Sequence, residues 1–452
     1  MRPTGHADEK FGAVADAFAR NFEDFPELGA AVAVYSGGRK VVDLYAGTAD
    51  LTTGRAWTSE TVVPVFSCAK ALVSISIHLL AQEGRLDLDA PVATYWPEFG
   101  KETITSRMVL GHRAGLPVLD RTLTFDEIAA WTPVVRAIEE QEPLWAPGTT
   151  YEYHGHVFGF LLGEVIRRIT GLTPGRYFRQ AIGDPLGLRA WIGVPPDEPV
   201  ARLTEAEGRP PMPGPEHLLT RIVTMNGALV FPGLDEPHGW NDPDLLTIEL
   251  PGAGAVASAD SLAALFAATI TGLSPARSGV SPAGTGVNPA GAIPGGAGVN
   301  PAGAIPGGAG ASPADTIPGA AGASPADTIP AAAGVRPAGV IPAAADVSPA
   351  SVIPGRSTSG PLLSPATITD ALTEQSSGPS YLGFDAGARW GFLLDSAFRP
   401  MLGPRSFGND GAGGQFAFAD DEHGLAFAYV SNRMIGHGDA RAANLIAALK
   451  GC

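Results

Sequence analysis

From Gly286 onward a 12-residue unit, first written GVNPAGAIPGGA, recurs six times with drift. Prolines stand at 289, 301, 313, 325, 337 and 349, and a second set at 294, 306, 318, 330, 342 and 354. Each unit offers one isoleucine as its main large apolar group, and its two prolines break any strand or helix. Sequence repeats can stack as a solenoid, but these units cannot bury enough apolar surface to offset the entropy of ordering them. A disordered insertion rich in polyproline II is therefore expected over residues 275–359. Residues 1–274 and 360–452 are left to build one core between them.

The two ends of the chain share a design. LGAAVAVYSGGRKVVDLYA (29–47) holds two β-rich runs joined by SGGR, and QFAFADDEHGLAFAYVSN (415–432) repeats that plan around DDEHG. ARAANLIAALK (440–450) closes the chain as an amphipathic helix. One antiparallel sheet formed by both termini follows, flanked by helices. The middle is mostly helical. Residues 68–82 predict a buried helix stopped by Gly84, with Pro91 opening a new segment. Residues 155–169 show helical apolar spacing with Arg167 and Arg168 near the carboxyl end, and 258–272 begins with Ser258 and Asp260 as cap residues. The expected class is α+β, an α/β two-lobe arrangement.

Composition limits the partners. Apolar residues make up 45% of 452, enough for a sizeable core, and the net charge of −16 argues against nucleic acid or an anionic membrane. No apolar run reads as a signal peptide or reaches the roughly 20 residues of a membrane span. Cys68 and Cys452 do not make a disulfide framework. A cytoplasmic protein acting on small molecules is expected.

Only five lysines occur, at 10, 40, 70, 101 and 450, and Lys70 lies inside VFSCAKALVSISIHLL (65–80), an otherwise apolar run. One reading is a buried helix whose lysine stem snorkels to water. The other is an activated nucleophile. A serine hydroxyl is a weak nucleophile at neutral pH and needs an adjacent base; Ser67 and Lys70 at i and i+3 would share one helical face. A helix amino terminus at Ser67 would favour an anion, and burial disfavours the charged form of an amine. Chance alone supplies roughly a quarter of one SxxK match in such a chain, so the motif needs support.

Two further stretches carry polar groups. WAPGTTYEYHGHVFG (145–159) turns at PGT and presents Tyr151 and Tyr153 ahead of a helix, either as packing residues or with one phenol aimed into a cleft. His154 and His156 lack the acidic or histidine companions of a metal site. In FGNDGAGGQFAF (407–418) the glycines allow a close backbone approach and could present N–H groups to an oxyanion; a tight turn into an edge strand is the alternative.

Taken in order, SxxK, the tyrosine after PGT and the Gly-rich strand entry resemble the serine β-lactamase-like hydrolases, nearest to family VIII carboxylesterases and class C β-lactamases. EGRLDLDAPVATYWPEF (83–99), TSRMVLGHRAGLP (105–117), PLWAPGTTYEYHG (143–155) and FGNDGAGGQFAFAD (407–420) extend the likeness over nearly all of the chain outside the repeats. The resemblance implies a β-lactamase/transpeptidase-like fold and an acyl-enzyme mechanism without cofactor or metal. It implies Ser67 as nucleophile, Lys70 and Tyr153 sharing its proton, and the backbone N–H groups of Ser67 and Ala412 as oxyanion hole. His112, in LGHRAGLP, would position a loop.

Asn409, Gly411 and Gly155 fall at the family's substrate-binding positions, with two departures. Gly155 replaces the asparagine that contacts an amide substrate in β-lactamases, which favours esters over lactams. Asn409 stands where esterases carry histidine and β-lactamases lysine; it can donate a hydrogen bond but bears no charge. The resemblance thus implies a carboxylesterase on small esters. An acyltransferase using the same intermediate, or a weakly catalytic relative with a binding role, are the alternatives.

Overall fold

Alternation in the strands places large side chains on one sheet face and alanines on the other. The computed structural model describes residues 2–205, 212–231, 233–273, 360–383, 388–389, 392, 401–436 and 438–452. All of them belong to one unit, residues 1–281 with 353–452; the insertion expected at 275–359 lies outside the described residues.

The main sheet comprises β1 (Thr4–Ala7), β2 (Gly29–Ser36), β3 (Arg39–Asp50), β4 (Arg55–Ala56), β8 (Ser406–Gly411), β9 (Gln415–Asp420) and β10 (Leu425–Ser431). Its order is β1-β3-β2-β10-β9-β8, with β4 paired to β3. Gly37 and Gly38, with φ of 55° and 76°, make the turn between β2 and β3 that SGGR announces. The N- and C-terminal hairpins meet at the antiparallel pair β2–β10, where Val32 faces Tyr429 and Val34 faces Phe427. The expected joining of both termini in one antiparallel sheet is therefore present.

Val32, Val34, Phe416, Phe418, Phe427 and Tyr429 pack with α1 (Gly12–Asp24) and α6 (Arg441–Lys450). On the opposite face Ala31, Ala33, Ala417, Ala419, Ala426 and Ala428 join the larger core. Their small side chains let α5 (Ala259–Ile270) lie close against β2, β9 and β10. Ser258 caps α5 by accepting the Ser261 N–H at 3.1 Å, whereas Asp260 accepts the Tyr35 hydroxyl at 2.7 Å. The larger core continues into the helical region through α2 (Ala69–Gln82) and α3 (Val157–Thr170).

A second, three-stranded sheet was not legible in the sequence. It pairs β5 (Val63–Phe66) with β7 (Ala255–Ala257), which also pairs with β6 (Ala190–Ile192). β5 runs straight into the turn that carries Ser67. Among the described residues, no helix is long and apolar enough to cross a membrane.

Candidate active site

Ser67 stands in the turn between β5 and α2, one residue before the Cys68 N-cap. Phe66, the residue before it, adopts φ of 48°. A phenylalanine in the left-handed region costs roughly 1–3 kcal/mol and persists only where its surroundings hold it. Trp240, 4.6 Å away between ring centres, and Phe231, at 6.4 Å, clamp its ring. The strained turn points the serine out of the strand and sets it at the amino end of a 14-residue helix, where developing negative charge is favoured.

Lys70 is in the first turn of α2 and only 2% exposed. Its Nζ donates to the Gly252 carbonyl at 2.7 Å and makes a longer 3.4 Å contact with Ser67 Oγ. It also lies over the Tyr153 ring, 4.7 Å from the centre, and 5.6 Å from that of Phe158. The Tyr153 hydroxyl is 2.6 Å from Ser67 Oγ. Ser67 Oγ therefore touches two groups able to take its proton. The sequence places Lys70 near Ser67 through i, i+3 spacing, but Tyr153 arrives from 86 residues away.

The LGHRAGLP loop holds Tyr153 in place. His112, at φ 61°, accepts the Glu152 N–H on its carbonyl at 3.1 Å and the His154 N–H on Nδ1 at 3.2 Å. His154 accepts the Leu116 N–H on Nε2 at 3.2 Å, so its Nδ1–H donates to the Glu152 carbonyl at 2.7 Å. Glu152, itself buried, accepts from the Tyr153 N–H at 2.9 Å, the Ser380 hydroxyl at 2.8 Å and the Leu382 N–H at 2.9 Å. Tyr151 turns away and donates its hydroxyl to the Gly378 carbonyl. Burial, reinforced by neighbouring charge, pushes His112 well below the usual histidine range; burial takes His154 down to about 4. Both are neutral struts at neutral pH, and both ring nitrogens of His154 are committed to backbone groups.

Ser67, Lys70 and Tyr153 open onto a pocket of about 60 Å³. Phe66, Val223, Phe231, Trp240 and Ala253 give it an apolar wall, completed by Gly155, His156 and Ala412. Val223 comes from α4 (Leu218–Val223), which lies close against Gly155. A Cβ at position 155 would sit 2.8 Å from the Ile222 carbonyl oxygen and 2.9 Å from its Cγ2. The place where an asparagine side chain would extend is filled by α4.

Asn409 and Gly411 are not among the residues lining this pocket. A Cβ at Gly411 would approach the Val65 carbonyl oxygen to 2.2 Å, so the glycine lets β8 lie against the strand that leads to Ser67. The Asn409 carbonyl accepts the Cys68 thiol at 3.3 Å, and its buried side-chain oxygen has no hydrogen-bond partner among the described residues. Sequence reading missed the Gly252 carbonyl, α4, Phe231 and Trp240. The small residues of LPGAGAV (250–256) were the available signal for a close backbone approach.

Among the described residues one group of metal-type ligands clusters, His238, Asp242 and Asp244, with donor atoms within 4.8 Å of one another. Asp242 is already engaged there, accepting the His238 N–H at 2.7 Å and the Asp244 N–H at 3.0 Å.

A family model described as Beta-lactamase matches residues 18–303. An esterase/beta-lactamase, LipL, of Mycobacterium tuberculosis is 33% identical over 287 residues, covering 60% of this chain and 65% of that protein. The chain thus spans just under two thirds of that relative's length. Among solved structures, a family VIII carboxylesterase superimposes with a TM-score of 0.72 at 25% identity, covering 99% of both chains. A penicillin-binding protein homologue from Caulobacter crescentus does so with a TM-score of 0.72 at 28% identity, covering 100% of both.

Proposed function

The chain belongs to the beta-lactamase family, and from that premise we propose that it is a serine carboxylesterase that cleaves small esters through an acyl-enzyme. The observation that carries this reading is Ser67 Oγ held 2.6 Å from the Tyr153 hydroxyl and 3.4 Å from Lys70 Nζ at the foot of an apolar pocket. Ser67 Oγ attacks the ester carbonyl carbon and gives its proton to the Tyr153–Lys70 pair. The N–H groups of Ser67 and Ala412 receive the oxyanion. The carbon–oxygen bond to the alcohol then breaks and the alcohol leaves with that proton. Water, deprotonated by the same pair, attacks the acyl carbon; the bond to Ser67 Oγ breaks, Oγ takes back that proton and the acid is released.

Esters are favoured over lactams for a steric reason. α4 fills the space beside Gly155, so no side chain can reach from there to an amide, and Asn409 brings no positive charge toward a substrate carboxylate. The likeness to a solved family VIII carboxylesterase supports the same choice. Gly155 is read as a wall that admits small substrates, and Asn409 and Gly411 as shaping the β8 edge behind the oxyanion hole. The two free cysteines support a cytoplasmic setting.

Hydrolysis of p-nitrophenyl butyrate by wild type and Ser67→Ala tests this reading. The variant should fold normally and lose turnover, whereas substantial surviving activity would place the nucleophile elsewhere. Nitrocefin turnover should be weak or absent, and a rate comparable to that of the ester would overturn the preference for esters.

A further inference from the structure

Apart from Ser67, Lys70 and Tyr153, the polar side chains that line the pocket are those of His156 and Trp240. Trp240 is spoken for, since its indole N–H donates to the Val230 carbonyl at 3.2 Å. His156 is 4% exposed and sits at the start of α3, where its Nε2 meets the Val223 carbonyl at 3.1 Å. A carbonyl can only accept, so that contact fixes the proton on Nε2 and leaves Nδ1 as a lone-pair acceptor. Nδ1 is buried and has no hydrogen-bond partner among the described residues. Burial, with the charge of Lys70 nearby, takes His156 down to about 4, so the ring is neutral at neutral pH.

A buried acceptor without a partner is costly, and a bound molecule that supplies a donor removes the cost. A site built this way discriminates more strongly than an apolar wall, because the analogue lacking the donor leaves the acceptor unpaired. The proximity of Lys70 disfavours a cationic donor, so a neutral hydroxyl fits best. We infer that His156 is a specificity residue that selects small esters bearing a hydroxyl group, which donates to its Nδ1. The inference rests on the esterase reading above and names the substrate class for that same pocket.

Two substitutions separate this role from a merely structural one. His156→Gln keeps a donor for the Val223 carbonyl but removes the Nδ1 acceptor; His156→Asn keeps an acceptor near Nδ1 but gives up the bond to Val223. Initial rates would be measured in a pH-stat for methyl 3-hydroxybutyrate against methyl butyrate, and for 2-hydroxyethyl butyrate against propyl butyrate. The first pair places the hydroxyl on the acyl side and the second on the alcohol side.

In wild type one hydroxylated ester should exceed its partner in kcat/KM by roughly tenfold, about one hydrogen bond. That preference should vanish in His156→Gln and persist in His156→Asn, with thermal melts confirming that both variants fold. Equal kcat/KM within both pairs, or a preference unchanged in His156→Gln, would overturn the inference while leaving the esterase reading intact. No turnover of any of the four esters by wild type would overturn both.

Discussion

Among the described residues one arginine and one lysine side chain are buried, and they are partnered in opposite ways. Arg441 has no exposed surface and pairs with Glu27 at 2.8 Å and Asp439 at 2.7 Å. Its remaining donors reach Ser431 Oγ at 2.9 Å and the carbonyls of Gly413 and Arg433 at 2.8 and 2.9 Å. It ties the last helix to residue 27 and to the central sheet. Lys70 is almost as buried, but among the described residues it meets one carbonyl, one hydroxyl and two aromatic faces. Among the described residues no carboxylate pairs with it. A guanidinium saturated by carboxylates is an anchor; an amine given a carbonyl and the hydroxyl of the proposed nucleophile is placed to exchange a proton.

The strongest way to break that contrast is to remove each cation in turn. Lys70→Met should lower ester hydrolysis a hundredfold or more, the scale of a lost acid–base group, and leave unfolding free energy within about 1 kcal/mol. Arg441→Met should do the reverse. It strands the Glu27 and Asp439 carboxylates and should cost about 3–5 kcal/mol in chemical denaturation, while the folded fraction keeps most of its rate. A large stability loss in the lysine variant, or inactivity of folded Arg441→Met, would dissolve the distinction.

Tyr153 and Tyr151 repeat the contrast two residues apart. Tyr153→Phe removes the hydroxyl that touches Ser67 Oγ and should cost about a hundredfold in kcat. Tyr151→Phe removes a hydroxyl bonded to the Gly378 carbonyl and should change kcat less than about threefold, at a stability cost of about 1 kcal/mol. If Tyr151→Phe is the more damaging in a steady-state assay, the roles of the two tyrosines are reversed.

This pair also shows what a sequence can convey. SxxK is a local pattern, and helical spacing turns it directly into proximity. The hairpins at 29–47 and 415–432 are equally local, and their alternation dictates which faces are buried. Tyr153 could be singled out from Tyr151 only through the family likeness, because nothing in YEY tells which phenol the loop aims inward. Gly252 reaches Lys70 across 182 residues, and α4 is a six-residue helix without a long periodic pattern. Contacts made by a carbonyl or by a missing Cβ leave no mark in hydrophobic periodicity.

The buried histidines provide a separate test, through acid. His154 and His156 are taken down to about 4 and His112 well below its usual range, in each case chiefly by burial. Their unfolded values are about 6.5. Below pH 6.5 the unfolded chain takes up protons that the folded chain refuses. For His154 and His156 stability is therefore full above pH 6.5 and lost as pH falls toward 4, by up to about 1.4 kcal/mol per pH unit each, and His112 adds to the loss in the same direction. Urea denaturation across pH 7.5–5 should show the decline, and a flat profile would contradict the neutral assignments.

The smallest effect is expected from replacing residues 275–359 by a short Gly/Ser linker. The flanking chain already meets, since the Leu362 N–H donates to the Ala268 carbonyl at 2.6 Å and Gly272 lies against Gly360. Closing a loop costs entropy only logarithmically in its length, about 0.6 kcal/mol per doubling. The melting temperature and ester rate of the deletion variant should stay close to those of the full chain. Insolubility, or a large loss of rate, would show that the segment contributes to the body or to the cleft.

Ser67 is the proposed nucleophile, served by Lys70 and Tyr153. Intact-mass analysis after exposure to a fluorophosphonate probe tests that role most directly. One adduct per chain is expected, mapping by peptide sequencing to Ser67, absent from Ser67→Ala and formed far more slowly in Lys70→Met. No adduct on the folded wild-type protein, or an adduct on another residue, would contradict the claim.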